Sequence, residues 1–236
     1  MRLQITILFI LIGLTTSALA QTLSGKELLE KSIEYHDPNS KWSQFNGSFN
    51  VSMQSPSRPL RTSNIVIDLM RSFFELSVQI VENQWKVSLL DEDCDLLFNG
   101  SREISPEIEK EFRLNCKRAK MYRDYYTYLY GLPMKLKDPG TLIDPVISKK
   151  SIEGISYWVL KVEYDPNVGS DTWYFYFDTE TFALKRYQFF HDESKNDGEY
   201  IILDDEIEIE GILMPKNRSW YYNSDNAFLG TDILSK

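Results

Sequence analysis

A chain of 236 residues with 26 Lys and Arg against 35 Asp and Glu carries a net charge of −9, and 42% of it is hydrophobic. That acidity repels phosphate backbones and argues against a nucleic-acid binder. Two cysteines and two histidines, His36 and His191, do not make a zinc site, and no metal or other cofactor is expected.

Arg2 supplies a positive start, "ITILFILIGL" a short apolar run, and Ala18-Leu19-Ala20 small residues at the −3 and −1 positions of a cut. Residues 1–20 therefore read as a cleaved signal peptide, too short and wrongly flanked for a membrane anchor. Gln21 follows the cut, so no lipid-anchored cysteine is expected there. No later run approaches the ~20 apolar residues of a membrane helix. The expectation is an exported protein, periplasmic or extracellular, whose residues 21–236 form one domain.

Ser24 and Glu27 make a capping-box pattern before "KELLEKSIEYH", where Leu29, Ile33 and His36 share a helical face. The helix should stop at Asp37-Pro38. From Phe45 the period becomes two: "FNGSFNVSMQ", "TSNIVIDLM", "FFELSVQIV" and "WKVSLL" are strand-like, separated by turn residues. Cys94 and Cys116 stand alone in an exported chain. They read as one disulfide contributing on the order of 3 kcal/mol, the alternative being two buried thiols.

A second helical block is expected over about 106–130, with a break near Asn115 and a stop at Gly131 and Pro133. Lys117, Lys120, Asp124 and Thr127 form its polar face. Tyrosines at 122, 125, 126, 128 and 130 cover much of the rest. Strands return in "ISKKSIEG", "SYWVLKVEYD", "DTWYFYFD", "ALKRYQFFHD", "EYIILDDEIEIEG" and "LMPKNRSWYYN". In "TWYFYFD" rings alternate onto both faces, so both faces should be covered. No β-α-β alternation appears, which points to an antiparallel meander. The fold class is mainly β (α+β): a strongly curved antiparallel sheet or half-barrel of about ten strands. The N-terminal helix and the helical insertion cover its concave face, the insertion closing one end. Barrels of this size can hold one apolar ligand.

"LLEKSIEYHDPNSKW", "RAKMYRDYYTYLYGLPMKLKDPGT", "DTWYFYFD" and "YQFFHDESKNDGEYI" together resemble a family of exported bacterial proteins known only as a domain of unknown function. The resemblance implies a Gram-negative envelope protein and supplies no activity. The architecture is also similar to that of the periplasmic lipoprotein-carrier superfamily (LolA/LolB-like), whose unclosed barrel lidded by helices holds acyl chains. That likeness is topological. No ligand-contacting residue of those carriers maps onto a position here, and the insertion with its two cysteines departs from their pattern.

The candidate ligand wall is Tyr122, Tyr125, Tyr126 and Tyr130 with Trp158, Trp173, Phe175 and Phe177, whose hydroxyls would orient a polar head while ring faces hold an apolar tail. The competing reading is ordinary core. A basic cluster, Arg113, Lys117, Arg118, Lys120 and Arg123, is either a solvated helix face or a contact for anionic headgroups. The loop from Asp165 to Asp171 spaces oxygens like a calcium loop but reads as a hairpin turn. His191-Asp192-Glu193 resembles a base with its orienting carboxylate, though no nucleophile is visible. The reading is therefore a monomeric, non-enzymatic binder of a lipid or an acylated protein, with peripheral membrane contact. The alternatives are a hydrolase using His191 and a structural protein with a solid core.

Overall fold

Residues 23–236 are described by a computed structural model, and the signal peptide expected over 1–20 lies outside the described residues. Helix α1, Gly25–His36, begins where the capping box places it. Ser24 Oγ accepts from the Glu27 N–H at 3.3 Å, and the Glu27 carboxylate accepts from the Ser24 N–H at 2.8 Å. Its inward face is Leu28, Leu29, Ser32 and His36, with Ile33 at the margin. The face is thus turned toward Leu28, a fully buried side chain that the expected stripe left out.

His36 is fully buried. Its Nδ1–H donates to the Leu213 carbonyl at 2.6 Å, and its Nε2 accepts from the Leu184 N–H at 2.9 Å. The ring is therefore neutral, and burial holds its pKa below the ordinary imidazole value. Above about pH 6.5 this has no effect on stability. As pH falls below that value the unfolded chain takes up a proton that the folded chain resists, and stability drops, by at most about 1.4 kcal/mol per pH unit. His36→Gln, which can present one donor and one acceptor, should show a smaller fall in melting temperature between pH 7 and pH 5 than the wild type. Equal falls would mean that the histidine does not titrate on unfolding.

The strands are β1 Asn46–Ser55, β2 Arg58–Asp68, β3 Phe73–Ile80, β4 Asn83–Leu90 and β5 Asp93–Phe98. Helices α2, Pro106–Phe112, and α3, Cys116–Tyr130, come next. Then follow β6 Thr141–Ile143, β7 Ser148–Ile152, β8 Ile155–Tyr164 and β9 Thr172–Asp178. The last four are β10 Leu184–Phe190, β11 Glu199–Ile209, β12 Ile212–Tyr222 and β13 Phe228–Ser235. All pair antiparallel in one open sheet, ordered β5-β4-β3-β2-β1-β13-β12-β11-β10-β9-β8-β6, with β7 also on β8. Two meanders meet where β1 pairs with β13.

The expected count of about ten strands is corrected to thirteen among the described residues. Strand β6 is too short to show a period. In β13 the inward positions are Gly230, Asp232 and Leu234, so the apolar alternation fails. A Cβ on Gly230 would lie 2.5 Å from the Gln54 carbonyl oxygen of β1, which is why glycine stands there.

The Asn115 side chain caps α3 by accepting from the Arg118 N–H at 2.9 Å. Gly131 ends it, because a Cβ there would meet the Trp42 ring at 2.2 Å. Cys94 of β5 is bonded to Cys116, with Cα atoms 5.9 Å apart, as expected. From that tether α3 crosses the inner face. Tyr122 lies against Trp85 of β4, Tyr126 against Phe74 of β3 and Tyr130 against Phe49 of β1. The expectation that it closes one end of the sheet is thereby corrected. Its ring stripe needs apolar partners along its whole length, and only the inner face supplies them.

Strand β9 is covered on both faces, as its rings implied. Phe175 and Phe177 are fully buried in the inner core, and Tyr176 is buried on the outer side. Side chains of neighbouring strands cover Tyr176, among them Tyr157 and Lys150. The Arg186 guanidinium lies 5.4 Å from the Tyr176 ring centroid and 4.0 Å from that of Tyr200.

Candidate functional site

The second half of α3 borders a cleft of about 640 Å³ on the inner side of the sheet. One wall comes from the β2–β3 turn, with Ile67, Leu69, Phe73 and Phe74. The other comes from the end of β8 and the start of β9, with Tyr164, Val168 and Trp173. Tyr128 and Thr127 of α3 lie between them. The β8–β9 connection turns back because Asp165 Oδ1 accepts from the Asn167 N–H at 2.9 Å. The calcium-like spacing is thus a turn, and that turn presents Val168 to the cleft.

Three rings shape the aromatic wall. Tyr128 meets Tyr164 and Trp173 edge-on, at centroid distances of 6.4 and 5.7 Å. The Tyr128 and Tyr164 hydroxyls are hydrogen-bonded at 2.5 Å. Burial pushes the Tyr164 phenol up to about 12 and also raises Tyr128 well above the ordinary phenol value, so both stay neutral and can only share hydrogen bonds. The charged groups on the rim are mostly spoken for. Arg123 pairs with Asp124 at 3.0 Å, Lys135 pairs with Asp138, and Asp171 accepts from His191 Nδ1 at 2.8 Å. What remains is an apolar trough with a neutralised polar edge.

Of the eight ring residues expected to line a cavity, Trp173 is the one at this cleft. Tyr126, Tyr130, Phe175 and Phe177 are core. Tyr122 stacks on Trp85 at 5.7 Å, half-buried. Tyr125 is 39% exposed and stacks on Trp220 at 6.5 Å. Trp158 is half-buried, with the Lys149 ammonium 5.3 Å from its ring centroid. Tyr128 and Tyr164 were absent from the expected set. Tyr128 lies within the tyrosine run, and Tyr164 directly before the Asp165 turn, so a turn that brings a strand end back to the helix was the available signal.

His191 is exposed and takes Asp171, not the adjacent Asp192, as its carboxylate, which raises its pKa. Asp192 instead accepts from the Ser194 N–H and pairs with Lys195. The expected His191-Asp192-Glu193 arrangement is corrected on that point: Asp171 arrives across the β9–β10 pairing, which a linear motif cannot show. Among the described residues no serine, threonine or cysteine is hydrogen-bonded to the imidazole. The same residues contain no helix long and apolar enough to cross a membrane.

Among solved structures, a LolA superfamily protein from Nitrosomonas europaea superposes with a TM-score of 0.55 at 12% identity, over 90% of this chain and 92% of that one. A DUF1329 family protein from Desulfovibrio piger gives 0.50 at 10% identity, over 89% and 91%. At such identities the likeness is one of fold, and the fold is LolA-like. A comparison with curated proteins finds no match. The family model of DUF6503, a family of unknown function, matches residues 4–235, and the chain belongs to that family.

Proposed function

We propose that this is an exported, non-enzymatic protein that holds an apolar or amphipathic ligand, a lipid or the acyl chain of a lipoprotein, in the cell envelope. The observation that carries the reading is the cleft of about 640 Å³, walled by Phe73, Phe74, Tyr128, Tyr164 and Trp173 on the inner side of a LolA-like open sheet. A concavity of that size with mostly apolar walls and a few polar groups suits a small amphiphile. The disulfide supports an oxidising compartment and hence export. The LolA-like fold is that of a carrier superfamily and supports a lipid or lipoprotein partner.

Titration with fluorescent fatty-acid analogues of several chain lengths tests it. The wild type should bind, and Trp173→Ala should weaken binding roughly tenfold, equivalent to about 1.4 kcal/mol of lost contact. Tyr126→Phe, in the core and outside the cleft, should bind as the wild type does. Absence of binding at every chain length sinks the reading. Binding that Trp173→Ala leaves unchanged moves the ligand out of this cleft.

A further inference from the structure

We propose that the elbow between α2 and α3 docks onto phosphate-bearing lipid headgroups at a membrane surface. Of the basic residues clustered here, Lys120 is paired with Glu92 and Arg123 with Asp124. Lys110, Arg113, Lys117 and Arg118 are different: among the described residues no carboxylate lies within 4.0 Å of any of their charged atoms. In a chain with 35 acidic side chains, four unpaired cations in one place are unusual. They line a single notch of about 650 Å³, with Glu109 the one carboxylate among its lining residues.

The placement is also locally unfavourable without an anion. The first turn of α3 contains Lys117 and Arg118 and no acidic residue. A helix N-terminus carries a partial positive charge that favours anions and disfavours cations. A bound phosphate would be stabilised by the dipole and by the cations together. Arg118 is held in place for this: its guanidinium lies 5.1 Å from the Tyr122 ring centroid, and its Nη1 donates to Met121 Sδ at 2.9 Å. Its Nε is buried with no acceptor. The Cys94–Cys116 bond fixes the start of α3 to β5.

A membrane surface fits better than a soluble phosphate because the cations are spread over two helices, with the Met121 side chain, 38% exposed, beside them. Spread charge with an apolar side chain at its edge matches an interface of headgroups over acyl chains. The site is separate from the cleft: the elbow holds the N-terminal end of α3, and the cleft borders its C-terminal half.

Vesicle flotation of the mature chain tests the proposal, using phosphatidylcholine vesicles with and without phosphatidylglycerol. The protein should float only with phosphatidylglycerol, and high salt should release it. Lys110→Gln with Lys117→Gln should lower partition by about 25-fold, roughly fivefold per cation. Lys26→Gln with Lys150→Gln removes the same charge elsewhere and should leave partition unchanged. Coincident thermal melts establish that both variants are folded. Equal loss in the two variants, equal partition onto both vesicles, or no partition onto either overturns the proposal. Saturable binding of inorganic phosphate at the elbow without any vesicle partition overturns the lipid assignment in favour of a soluble anion.

Discussion

Arg218→Ala should lower the unfolding free energy by about 3–5 kcal/mol, the range for breaking a buried charged arrangement. Arg218 is 1% exposed and is among the largest fully buried side chains of the described residues. Its Nη1 donates to the Pro215 carbonyl at 2.8 Å, and its Nη2 reaches the Leu129 carbonyl at the end of α3 at 3.5 Å. The guanidinium lies 4.0 Å from the Tyr130 ring centroid. Removing it takes the guanidinium away from both carbonyls and leaves Asp232, its register partner in β13, with the Trp220 N–H bond but without the Arg218 charge that offsets its burial. Burial already raises the Asp232 pKa, and Arg218 opposes that rise. Arg218→Lys should recover little, because an ammonium cannot stack flat on Tyr130 while serving two carbonyls. Urea unfolding measures both. A loss under about 1 kcal/mol for the alanine variant would mean that the buried guanidinium only breaks even with an apolar substitute.

Reducing the disulfide, or replacing Cys94 and Cys116 with serine, should cost about 3 kcal/mol. The bond closes a loop between residues 22 apart, and the chain-entropy argument gives that size. The loss should be felt first at β5 and the start of α3, because β5 is a sheet edge that, among the described residues, pairs with β4 alone. Proteolysis between residues 94 and 116 should therefore speed up on reduction before the rest of the chain opens. Coincident urea midpoints for the oxidised and reduced chains would contradict this, and would show that the reduced unfolded state keeps the same constraint.

The helices were legible because their signals are local. Ser24 with Glu27, a break near Asn115 and Gly131 as a stop are each local signals, and the structure has all three, with the break revealed as the Asn115 cap of α3. Most strands were legible for a related reason: Trp85, Val87 and Leu89 of β4 alternate inward as a half-buried strand must. Strand β13 was not, since Gly230 and Asp232 face inward for reasons set by β1 and β12.

The candidate site was legible only as chemistry. The tyrosine run announced an aromatic helix, but which ring meets an opening depends on how α3 lies over the sheet. Tyr122, Tyr126 and Tyr130 follow the helical stripe into the packing, and Tyr128, off that stripe, reaches Tyr164 and Trp173. The sequence by itself determined the helix ends, the disulfide pair, the strand period and the open antiparallel class, because capping, redox pairing and alternation are short-range. Tertiary structure alone decided the β1–β13 junction, the buried Arg218 and the cleft. Each joins residues dozens to more than a hundred positions apart, and no local preference encodes which distant surfaces will be pressed together.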